Sequence, residues 1–197
     1  MDTKNKFIIL KKVRYGEADL ILQALSTHGE KMSFMARGAL KSRRRFGGGV
    51  LEPCHFVQFT YHQSKTGKLH TLKEASLIND FPGLRRDYDR LEFALRAVDA
   101  VGKVSQEGDA TAEFLFNLLG HVLSGLERAD DLTAIKLQFW LKFLMQQGVL
   151  TPEPWMTPFL KANLADAPTL AEPARAEARR IVGLEMLIEQ YVRNATL

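Results

Sequence analysis

Between Ala36 and Gly49 the chain carries Arg37, Lys41, Arg43, Arg44 and Arg45 among four glycines and one aromatic, Phe46, with no carboxylate. That density of one charge sign cannot be buried unpaired, so the stretch reads as an exposed loop. Consecutive guanidinium groups can follow a row of phosphates, and the run Gly47-Gly48-Gly49 lets the backbone turn through positive φ or approach a ligand closely. Phe46 is placed to stack on a base. A solvated basic loop without a partner is the alternative reading. Lys65, Lys68 and Lys73, on the last strand hairpin, extend the cationic track. Arg85, Arg86 and Arg90 follow at steps of one and four, and either join the same face or pair with Asp87 and Asp89. Phe59 and Tyr61 are further stacking candidates, though an aromatic on an alternating strand is more often core.

Residues that could do covalent or metal chemistry are sparse. Glu17 and Asp19 share a face and could hold Mg²⁺, but Glu52, Glu74 and Asp80 lie on other elements, so a turn role is the simpler reading. His28, His55, His62, His70 and His121 show no metal-ligand or nucleophile-activating spacing. The triple glycine lacks the Lys-Ser/Thr that would complete a phosphate-binding loop. With Cys54 as the one cysteine, neither an internal disulfide nor a cysteine-built zinc ribbon is expected. The pattern points to a binding protein rather than an enzyme, with no cofactor and no metal. Two other classes stay open: a metal-dependent nuclease on a similar platform, and a protein-only adaptor whose basic loop meets an acidic partner.

Charge is unevenly spread. Residues 1–80 hold 14 Lys and Arg against 7 Asp and Glu, a net +7, while residues 81–197 hold 13 against 16, a net −3. A basic module joined to a mildly acidic one is expected, the first attracting polyanions. No apolar run is long enough to cross a bilayer, and the N-terminal residues lack a signal-peptide core, so a cytoplasmic protein with no membrane association is expected.

The elements that must carry these residues divide in the same way. Alternating apolar residues predict strands at 6–14, 20–27, 32–37, 55–62 and 69–78, separated by Gly-bearing turns. Five short strands in about 80 residues suggest a small closed barrel, OB-type or SH3-like. Beyond Phe81-Pro82-Gly83 the apolar period becomes helical, with helices at about 83–102, 110–127, 131–147 and 174–193. Five of the seven prolines fall between Pro152 and Pro173, so 148–173 is expected to be an extended connection. An α+β chain follows: a barrel domain over 1–80 and a helical domain over 81–197, without a zinc module.

In this order the motifs resemble the RecO family. They are Tyr15-Gly16-Glu17-Ala18-Asp19, Ala36-Arg37-Gly38-Ala39, the run Arg45 to Pro53 (RFGGGVLEP), and Phe81-Pro82-Gly83-Leu84-Arg85. The resemblance covers the N-terminal half densely and the helical half mainly in layout. It implies an OB barrel, binding to single- and double-stranded DNA, ATP-independent annealing of complementary strands, and a nucleoid-associated role in DNA repair and recombination. The partners it implies are RecR and the acidic C-terminal tail of single-stranded DNA-binding protein, with loading of RecA as the indirect outcome. Many family members carry a four-cysteine zinc module and a basic tail, which this sequence lacks. A receptor for an acidic tail with an apolar end needs an apolar pocket rimmed by cations. Arg128, Lys136, Trp140 and Lys142, beside Leu137, Phe139, Leu141, Phe143 and Leu144, are the candidates for it.

Overall fold

The computed structural model describes residues 2–65, 67–109 and 112–195; Thr66 in the basic turn, and Ala110 and Thr111 at the start of the second expected helix, lie outside them. Five strands, β1 (Asp2–Tyr15), β2 (Asp19–Ser26), β3 (Lys31–Ala36), β4 (Phe56–His62) and β5 (His70–Asn79), close into a barrel in the order β1-β2-β3-β5-β4. All pairings are antiparallel except β3 with β5, where Phe34 faces His70 and Met35 faces Thr71. This is the strand order of an OB barrel, which the strand pattern left open.

β1 can serve two neighbours because it bends. Its pairing with β2 shifts register between Ile9 and Lys11, and only residues 2–8 pair with β4. The irregularity explains the unbroken buried run Phe7-Ile8-Ile9-Leu10. Phe7 and Ile9 join the barrel core, whereas a Cβ placed on Gly102 would lie 3.6 Å from the Leu10 side chain. Inside the barrel, Phe34 lies 5.1 Å from Phe7, Phe59 and Tyr61, each edge-on, a geometry that adds to their area burial.

The chain falls into two compact units, and their division differs from a simple cut at residue 80. Residues up to Phe81 group with Ala97–Asn117; Pro82–Arg96 groups with Leu118–Leu197. Side chains of β3 account for the first grouping. Lys31 Nζ donates to the Gly102 carbonyl at 2.9 Å, and Ser33 Oγ donates to Glu107 at 3.0 Å. Phe56 and Phe116 also pair, with rings 5.9 Å apart.

Carboxylates stand at the starts of two helices, as the N-cap in the first and one residue before the cap in the second. Asp87 accepts the Arg90 N–H at 2.9 Å, so α1 is Tyr88–Val104 and Pro82–Arg85 is a separate 3₁₀ turn rather than its first turn. α2 is Glu113–Arg128. Asp131 accepts the Thr133 N–H at 2.9 Å at the start of α3 (Thr133–Gln146). Gly148, at φ 69°, ends α3 by donating to the Met145 carbonyl. The segment read as an extended connection instead folds into 3₁₀ turns at Pro154–Met156 and Leu164–Leu170 and helices α4 (Thr157–Lys161) and α5 (Ala171–Glu177). Pro154 and Pro158 sit at helix starts, where a missing N–H costs nothing, whereas Pro168 lies inside the 3₁₀ turn Leu164–Leu170. Buried Gln138 on α3 holds this segment by donating to the carbonyls of Ala162 and Asn163 at 3.3 and 3.2 Å. The last helix, α6 (Arg180–Ala195), therefore starts later than expected.

Two stability tests follow. A Cβ on Gly83 would meet the Glu127 carbonyl oxygen at 2.6 Å, so Gly83→Ala should destabilise the helical unit by about 1–3 kcal/mol, read as a lower denaturation midpoint. An unchanged midpoint would mean that this approach yields freely. His70 is buried, its Nδ1 accepts the Ser64 N–H at 3.1 Å, and burial holds its pKa below the ordinary 6.5. The unfolded chain protonates at about 6.5 while the folded one resists. Stability is thus complete above that pH and falls as pH drops through the folded value. His70→Gln should reduce the loss of denaturation midpoint between pH 7.5 and 5; an identical loss would remove His70 as its cause.

Candidate nucleic-acid interface

The loop between β3 and β4 is fastened at several points along its backbone. Gly38, at φ 65°, donates its N–H to Asp19 Oδ1 at 2.7 Å, and Leu40 donates to the Ala18 carbonyl at 3.0 Å. Asp19 thus serves the turn. Further on, Ala75 of β5 donates to the Arg45 carbonyl at 3.0 Å, and the Arg45 guanidinium donates to the Arg37 carbonyl at 2.8 Å. Phe46 is 2% exposed and belongs to the barrel core, with Arg45 lying over its ring at 5.0 Å from the centroid. The expectation that Phe46 stacks on a base is corrected: an aromatic flanked by arginine and glycine lowers its cost by filling the barrel, and its ring is closed to a base. Phe59 and Tyr61 are core residues too.

The cations are left outside. Arg37, Lys41, Arg43, Arg44 and Arg45 are all exposed. On one side of the loop, Arg44 and Arg45 line an opening with Lys4 of β1, Gln58 and Thr60 of β4, and Glu74 and Ser76 of β5. Those strand residues form rows across the sheet, Lys4 opposite Thr60 and Thr60 opposite Glu74. On the other side, Lys41 and Arg43 line an opening with Lys12, Glu52 and Gly47–Gly49. Lys12 and Glu52 form an ion pair at 2.5 Å there. Sequence reasoning missed Lys4, Lys12, Gln58, Thr60 and Ser76. The outward alternation of β1 and β4 placed Lys4, Gln58 and Thr60 on a polar face, but nothing in the order of residues showed that the loop would lie beside that face.

Other candidates are distributed differently. Lys65 and Lys68 are exposed in the β4–β5 turn, and Lys68 lines a separate opening with Asn5, Glu30, Tyr61, His70 and Glu107. Two carboxylates beside Lys68 make that opening less favourable to a polyanion than the loop. Lys73 is the extra residue where the β4–β5 register shifts. Arg85 and Arg86 are exposed, whereas Arg90 is held by Asp87 and by the Leu126 carbonyl, both at 2.5 Å.

The expected peptide groove on α3 is also corrected. Trp140 is 1% exposed and packs on Phe93 at 5.2 Å, and Leu137, Phe139, Leu141, Phe143 and Leu144 are equally buried. α3 is buried over most of its circumference because α4, α5 and α6 pack against it, so the width of its apolar surface measures enclosure and not a vacant site. Lys142 donates to the Leu160 carbonyl at 2.7 Å, and burial pushes its pKa down. Lys136 lies over the Phe93 ring at 5.4 Å. Arg128 alone of the four is exposed.

Among the described residues, no three His, Cys, Asp or Glu side chains converge as a metal site, and no helix is long and apolar enough to cross a membrane. One cysteine, buried Cys54, cannot supply a four-cysteine zinc site from these 197 residues.

The sequence is similar to those of known proteins. Residues 1–81 match the model of the recombination protein O N-terminal domain. DNA repair protein RecO of Maridesulfovibrio salexigens is 36% identical over 149 residues, covering 75% of this chain and 59% of that protein. DNA repair protein RecO of Rubrobacter xylanophilus is 32% identical over 146 residues, covering 74% of this chain and 57% of its own length. The chain thus spans somewhat under three fifths of the curated relatives it matches. With its barrel matched throughout and the similarity running on into the helices, the chain belongs to the RecO family.

Proposed function

We propose that this chain is a DNA repair and recombination mediator that binds single- and double-stranded DNA through the loop at 36–49. One observation carries the reading: five exposed cations sit on a loop whose backbone is fastened to the barrel, so little ordering is needed when phosphates arrive. A binding surface of this kind neutralises phosphates without reading base edges, which suits a protein that must accept any sequence. The chemistry asked of it is annealing of complementary strands without ATP, and this chain's contribution is charge and position rather than bond making. The family resemblance supplies RecR as co-worker and exchange of single-stranded DNA-binding protein for RecA as the outcome. It also supplies the C-terminal tail of single-stranded DNA-binding protein as a partner of the helical unit, on a surface other than buried α3. Arg85 and Arg86 are proposed as auxiliary phosphate contacts, and Lys65 and Lys68 as weaker ones. Action at the nucleoid follows from the same reading.

Two measurements test it. Neutralising about four phosphates gives a log–log salt slope of roughly −3 for a single strand. Changing Arg43, Arg44 and Arg45 together to alanine should flatten the slope by about two units, and should lower the thermal midpoint no further than Arg45→Ala alone, which removes the contacts with Phe46 and the Arg37 carbonyl. A slope indifferent to the triple change would place binding elsewhere. Annealing of complementary strands coated with single-stranded DNA-binding protein should proceed without nucleotide and in excess chelator. Strict dependence on Mg²⁺, with loss of labelled strand, would identify a nuclease instead.

A further inference from the structure

The cations of the loop do not all face one way. Arg44 and Arg45 line one opening, of about 760 Å³, together with Lys4. Lys41 and Arg43 line the other, of about 480 Å³, together with Lys12. Among the described residues, Ser42 alone lines both. Among the described residues, each opening holds three cations and one carboxylate, Glu74 in the first and, paired with Lys12, Glu52 in the second. The floor of the first is polar sheet, with Gln58, Thr60 and Ser76. The wall of the second is formed in part by Gly47, Gly48 and Gly49, which carry no side chain, and in part by Leu20, Leu40 and Leu51. The ridge between them keeps its height because Phe46 is buried beneath it and Arg45 is bonded to both Arg37 and Ala75.

We propose that the loop is a partition between two nucleic-acid tracks, each holding the backbone of a separate strand, so that one chain binds two strands at once. This rests on the DNA-binding reading and deepens it. Two single strands approaching one another repel through their phosphates, and that repulsion opposes annealing. A row of guanidinium and ammonium groups lying between the two backbones screens it at close range. Holding both strands on one frame also turns a bimolecular encounter into a local one, which raises effective concentration without any bond being made or broken. The alternation of sides along the loop, Lys41 and Arg43 to one opening and Arg44 and Arg45 to the other, is what a single continuous track would not need.

The test counts strands per protein chain. Two non-complementary oligonucleotides of about 20 nucleotides, one with a donor and one with an acceptor dye, are mixed with the protein at low salt. The length exceeds the roughly 4–16 nucleotides that one OB barrel covers, so a single strand winding over both openings would fill both. Native mass spectrometry reads protein copies and strands in the same particle, and energy transfer reports their proximity. The expected result is two strands on one chain. Lys4→Gln with Arg44→Gln, and separately Lys41→Gln with Arg43→Gln, should each lower the saturating count from two strands per chain to one, and should slow annealing at least tenfold. These side chains are exposed, and thermal midpoints check that the variants fold. If either variant fails to fold, the wild-type count still decides. One strand per chain at saturation, or two strands only in particles with two chains, would overturn the partition while leaving DNA binding intact. No strand bound at low salt would overturn the DNA-binding reading beneath it as well.

Discussion

Burial of Phe46 is the contact on which the candidate site depends. A loop with five cations and no carboxylate has every reason to spread into water, since its charges repel and its glycines leave the backbone free. Placing one phenyl ring in the barrel core stabilises the folded loop by about 1.5–3 kcal/mol and fixes where the chain must return to the sheet. The hydrogen bond from Ala75 to the Arg45 carbonyl then aligns the loop along β5, and Asp19 fixes its other end through Gly38. Charge is exposed because apolar surface one residue away is not. The same economy appears in Arg45, which covers the ring with its guanidinium and satisfies the Arg37 carbonyl.

The helical unit follows a different logic. α3 carries nine buried residues, and the polar one among them, Gln138, spends its amide on two carbonyls of the 162–163 segment. A helix so enclosed organises its neighbours rather than presenting a face. Cations around it are similarly occupied: Lys142 by the Leu160 carbonyl, and Arg96 by Glu185 at 3.1 Å. Surface available for a partner in this unit must therefore come from its outer helices.

The barrel was legible in the sequence because an alternating strand with one wet face leaves a period of two, and the loop was legible because unpaired charge cannot be buried. What escaped was anything set by position in space. Phe46 looked exposed since its sequence neighbours are, but burial belongs to the atom and not to the segment. Trp140 and its neighbours looked surplus to a packing face, because α4 and the start of α5 lay in a stretch whose prolines suggested no structure, and nothing in the order of residues set the expected last helix against them. Lys4 and Lys12 drew no notice as single lysines on an ordinary strand; only the fold brings them to the two sides of the loop. The grouping of Ala97–Asn117 with the barrel unit depends on Lys31 and Ser33, polar residues whose partners lie about 70 positions away.

The central claim is that the cations ride on a loop held in place before any ligand arrives, and amide hydrogen exchange of the free protein tests it most directly. If the claim is right, the N–H groups of Gly38, Leu40 and Ala75 exchange slowly, near the rate of the barrel strands, because each is bonded to the frame. The account also expects the exposed tip at Arg43 and Arg44 to exchange quickly. Fast exchange at Gly38, Leu40 and Ala75 together, in a protein whose strands remain protected, would contradict it and make the loop a tether rather than a frame.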